Sequence, residues 1–131
     1  MRFMPAAFAL VLGLSLTAGF AQAGGQGHPH HGGQTRIIGT YEVELVAKGA
    51  EVTLFVLDDK DQKVDASVLS GSAEVLAKGN ERKTVELKPA GDNKLAAPIN
   101  FRVEGKFRAT VTLRNAQGEV GKGRYAVDMS P

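Results

Sequence analysis

In the stretch "GKFRATVTLRN", Phe107, Ala109, Val111 and Leu113 alternate strictly with Arg108, Thr110, Thr112 and Arg114. Side chains that repeat every second position belong to a strand with one dry face and one wet face; a helix cannot satisfy that spacing. The same alternation recurs along the chain. Tyr41, Val43 and Leu45 oppose Glu42 and Glu44, and Val85 and Leu87 oppose Thr84, Glu86 and Lys88. Tyr125, Val127 and Met129 share one face of the last segment, and Met129 is expected in the core. In "AEVTLFVLDD" the inner face is Val52, Leu54 and Val56, but Phe55 and Leu57 make the other face apolar too, which predicts a central strand covered on both sides. Outside the N-terminal apolar segment no window holds a 3.6-residue apolar period, and "SAEVLAKGNERK" is the one place where a helical turn is expected. Turn signals fall every ten residues or so, which gives about seven short strands and an all-β domain folded as a two-sheet antiparallel sandwich over 36–131.

The N-terminus predicts where this domain works. Arg2 supplies a short basic region, and "AAFALVLGLSLTAGF" is an apolar stretch too short to span a bilayer comfortably. Ala21 and Ala23 then have the spacing a signal peptidase accepts, so residues 1–23 are expected to be a cleaved signal peptide and the protein to be periplasmic, with no stable membrane anchor after cleavage. Cleavage after Gly25 is the alternative. Export permits disulfides, yet the chain holds no cysteine. Stability must come from the apolar core, and thiol chemistry is excluded.

Behind the leader lies "GGQGHPHHGGQ", which contains all three histidines of the chain: His28, His30 and His31. Residues 24–35 carry too little apolar side chain to offset their ordering entropy, so they are expected to form a flexible arm that adds nothing to stability. Neutral imidazole suits copper, nickel and zinc, and a Gly/Pro-interrupted backbone can wrap several imidazoles around one ion. The three histidines are therefore the candidate metal ligands. A passive solubilising tail is the competing reading, because histidine-rich assignments are compositional. Cleavage after Gly25 would expose Gln26-Gly27-His28, whose amine, amides and imidazole can surround Cu(II) or Ni(II) in a square plane.

The succession of "HGGQ", "YEVELVAKGAEVTLFVLDDKDQKVD", "VELKPAGDNKL" and "GKFRATVTL" resembles small exported Ig-like β-sandwich proteins of bacteria. It is also similar to the small domains associated with periplasmic adaptor subunits of heavy-metal efflux pumps. In such proteins an "HGG" near the first strand recurs; here it is His31, Gly32 and Gly33. The resemblance implies an Ig-like sandwich and an auxiliary role near metal handling, with an efflux adaptor or another envelope protein as partner.

Other chemistries find little support. Asp59 and Asp61 have the first spacing of a calcium loop, but Lys63 takes the next ligand position and no glycine follows, so "DDKDQK" is expected to be a solvated turn. Ser67, Ser70 and Ser72 have no histidine within the folded domain to activate them, and Glu42 and Glu44 are expected on an exposed polar face. No enzymatic activity is expected. The 16 basic and 14 acidic residues are interspersed without a basic block, and aromatics are few, which argues against nucleic-acid binding. Two functions remain. One is a metal-associated protein acting through its histidines; the other is an adaptor that meets an envelope partner through its sheet edges or loops.

Overall fold

The computed structural model describes residues 30–129; the leader 1–23, His28 and the rest of 24–29 lie outside the described residues. Eight strands follow one another: β1 (Gln34–Ile38), β2 (Tyr41–Lys48), β3 (Glu51–Leu57), β4 (Ser70–Ala77), β5 (Glu81–Pro89), β6 (Lys94–Pro98), β7 (Phe107–Asn115) and β8 (Gly118–Val127). Every pairing is antiparallel. Among the described residues there is no α-helix, and one of the single 3₁₀ turns, Lys78–Asn80, falls where a helical turn was expected.

The strands form one sheet in the order β1-β2-β3-β6-β5-β4-β7-β8. Hairpins link β4, β5 and β6, and β7 returns to lie beside β4, which is a Greek key. The expected Ig-like sandwich of about seven strands is thus replaced by eight strands in a single, nearly closed sheet. The reason lies in β5. It pairs with β4 through Glu81–Leu87 and then with β6 through Lys88 and Pro89, so one strand turns the corner between what would otherwise be two sheets. The eighth strand is β1, which takes its first two residues, Gln34 and Thr35, from the expected arm.

At the ends of this order β1 and β8 lie side by side without a backbone ladder. Side chains bridge the seam. Gln34 Oε1 accepts a hydrogen bond from the Ala126 backbone N–H at 2.8 Å, and the Tyr125 hydroxyl reaches across to the Val43 carbonyl, also at 2.8 Å. Ile38 fills the space left by Gly123, where an added Cβ would stand 3.1 Å from its side chain. Inside, the alternating residues of all eight strands meet in one apolar core. Val43, Leu45, Val52, Leu54, Val56, Val111 and Leu113 are each fully buried. Each such side chain contributes roughly 1.5–3 kcal/mol on leaving water. Met129 packs against this core partly buried, just past the end of β8.

Candidate functional site

Glu42 and Glu44 alternate with the core residues Val43 and Leu45 and therefore face outward from β2. An outward carboxylate normally sits in water, and the sequence predicts that for both. Glu44 instead is only 4% exposed. Its cover is the segment just before β1, which folds back over β2.

That segment delivers four N–H groups to one carboxylate. Glu44 Oε1 accepts from the His30 backbone at 3.0 Å and from the His31 ring Nδ1 at 2.9 Å. Oε2 accepts from the His31 and Gly33 backbones, each at 2.8 Å. A carboxylate offers about four lone-pair directions, and here all are used. The "HGG" of the sequence acquires a physical reason for each letter. Gly32 sits at φ +80°, a left-handed conformation that turns successive N–H groups toward a common anion. Gly33 lies so close to the Leu45 carbonyl of β2 that any Cβ would collide with it. The His31 ring stacks on Phe55 of β3, with centroids 3.7 Å apart and planes 7° from parallel. Strand register makes this possible, because Thr35, Glu44 and Phe55 are cross-strand neighbours on one outer face.

The expected flexible arm is therefore corrected at its C-terminal end: residues 30–33 are tethered and 34–35 are strand. Phe55, read from sequence as covered on both sides, has found its outer cover in His31.

The hydrogen bonds also set the chemistry. An ionised carboxylate only accepts, so the 2.9 Å bond requires a proton on His31 Nδ1; in the neutral ring the lone pair then sits on Nε2. Nε2 makes no hydrogen bond among the described residues, and the side chain is 45% exposed. Burial pushes the Glu44 carboxyl up, but the bonds from the His31 ring and from the Gly33, His31 and His30 backbones outweigh it and hold the carboxyl below its ordinary value. A carboxylate with a depressed folded value stabilises the fold fully above the unfolded value, about 4.3, and that contribution is lost as pH falls through the folded value. In metal-free protein the Gly33 amide signal should therefore hold its docked position on acidification and shift only below the ordinary glutamate value. An NMR titration checks this; a midpoint at or above that value contradicts it.

Beside the ring lies a hollow of about 300 Å³, lined by His30, His31, Thr35, Glu42, Asp61 and Lys63 among others. The Thr35 hydroxyl is buried beside it with no hydrogen-bond partner among the described residues. The candidate ligands are only partly assembled. His30 and His31 line the same hollow, His28 lies outside the described residues, and no three His, Asp or Glu side chains among the described residues are grouped closely enough to hold a metal ion. Sequence reasoning missed Glu44, Phe55 and Thr35 as parts of the site. The available signal was "HGG" with a glutamate on the next strand, 11 residues beyond Gly33.

Comparisons with family models, with curated proteins and with solved structures give no match for this chain.

Proposed function

We propose that the protein is an exported, periplasmic, non-enzymatic accessory that binds a transition-metal ion, copper, nickel or zinc, with His31 as the anchoring ligand and His28 and His30 completing the site. One observation carries this reading: the Glu44–His31 bond, which orients an imidazole and leaves its Nε2 lone pair outward. A ligand histidine almost always donates its other N–H to a carboxylate or carbonyl, which fixes the tautomer and raises ligand basicity. The stack on Phe55 holds the ring plane, so little rotamer freedom is left to lose when a metal arrives. In the sequence the other two imidazoles precede this anchor by one and three residues, close enough for the chain to bring them to the same ion.

Calorimetric titration of the processed protein with Cu(II) or Ni(II) against a competing chelator is the test. The triple variant His28→Ala, His30→Ala, His31→Ala should lose the tight phase, and His31→Ala alone should lose most of it. Equal affinity in wild type and the triple variant would overturn the reading.

A further inference from the structure

A second concavity, of about 410 Å³, lies away from the histidines on the outer face of β4, β7 and β8. Four arginines from four different strands border it: Arg36 of β1, Arg82 of β5, Arg108 of β7 and Arg124 of β8. Against them stands one carboxylate. Glu74 pairs with Arg82 at 3.2 Å, while Arg108 and Arg124 have no ion-pair partner among the described residues. The Arg82–Glu74 pair is largely solvent-exposed, so it is weak and readily exchanged for another carboxylate. Gathering like charges without counter-charges costs the fold self-repulsion, and a partner that brings the opposite sign relieves it. Between Arg82 and Arg108 the register places Leu76, one of the large apolar side chains left exposed on this protein.

We infer that this groove is a docking site for an acidic, extended polypeptide segment of a partner protein. Guanidinium groups present planar forks that match carboxylates bidentately, which a row of Asp and Glu side chains supplies. Leu76 gives such a segment an apolar contact between its charges. The shape argues against a bilayer, since a planar surface reaches the rim of a recess and leaves its interior unmet. The one aromatic ring bordering the groove, Tyr125, sends its hydroxyl inward to Val43, so no aromatic side chain is left to seat in a membrane interface or to stack on a base. The inference is independent of metal binding, because the two sites share no lining residue.

The test is an NMR titration of the processed full chain with a capped peptide alternating acidic residues around a central leucine. Amide shifts should cluster at residues 74–76, 108–110 and 124–126, and affinity should fall with added salt. The double variant Arg108→Glu, Arg124→Glu should bind at least about tenfold more weakly. A control of identical charge change, Lys48→Glu with Lys60→Glu, should stay within about twofold, since distant exposed charges are screened. Arg108→Gln with Arg124→Gln repeats the loss without charge reversal, should reversal impair folding. Equal weakening in groove and control variants would overturn the inference, as would shifts scattered over the surface. So would sedimentation of the protein with phosphatidylglycerol vesicles when the peptide does not bind.

Discussion

Glu44→Gln should weaken Cu(II) or Ni(II) binding by about 10–100-fold, the usual cost of losing the partner that orients a ligand histidine. The substitution keeps the size of the side chain and replaces one acceptor oxygen with a donor NH₂. Each oxygen of Glu44 takes two N–H groups, so whichever is replaced, two donors of the segment face another donor. The segment should then detach from β2, and the Gly33 amide should exchange with solvent faster even without metal. Two measurements separate the parts of this argument. Calorimetry reads the metal, and hydrogen exchange of the apo protein reads the tether. An unchanged exchange rate would show that the carboxylate does not hold the segment. Unchanged metal affinity with faster exchange would remove His31 as the anchor.

Phe107→Ala should cost about 3–5 kcal/mol, the range for truncating a buried aromatic ring. Phe107 opens β7 with no exposed surface and pairs in register with Val127 of β8. A domain of this size has a total stability of about 5–15 kcal/mol, so one ring can carry a third or more of it. With no cysteine in the chain, no cross-link offsets the loss. Urea unfolding should show a large drop in midpoint with an unchanged slope. A cost under about 1 kcal/mol would mean that the ring is not packed as a core residue.

The strands legible in the sequence are those whose two faces meet different solvents. For β2, β5, β7 and β8 one face is apolar core and the other polar, and alternation alone finds them. β1 escaped because "QTRII" does not alternate in that way. Thr35 is buried on the outer face beneath the folded-back segment, while Ile37 is 42% exposed. The same limitation hid Glu44. Periodicity places a residue opposite the core, but it cannot say that another part of the chain will cover that side. His31 was legible as a metal-ligand candidate because histidines are rare here and gathered in one stretch; its carboxylate partner became visible only once the chain had folded back. The arginine groove was illegible for a related reason. Arg36, Arg82, Arg108 and Arg124 are far apart in sequence and form no basic run, and only the order of the strands collects them.

The seam between β1 and β8 has a consequence for how this sheet keeps its edges from other chains. A strand with unpaired N–H and C=O groups is a template on which a neighbouring molecule can add its own strand, and proteins blunt such edges with short strands, covers or closure. Here a five-residue strand covers β8, and a single side chain, Gln34, occupies the Ala126 N–H. Gln34 follows directly on the segment tethered to Glu44, so the lock on the histidine and the lock on the edge are consecutive links of one chain. A protein trimmed to begin after Gln34 would lose both together, and its exposed β8 edge would be open to strand-on-strand aggregation.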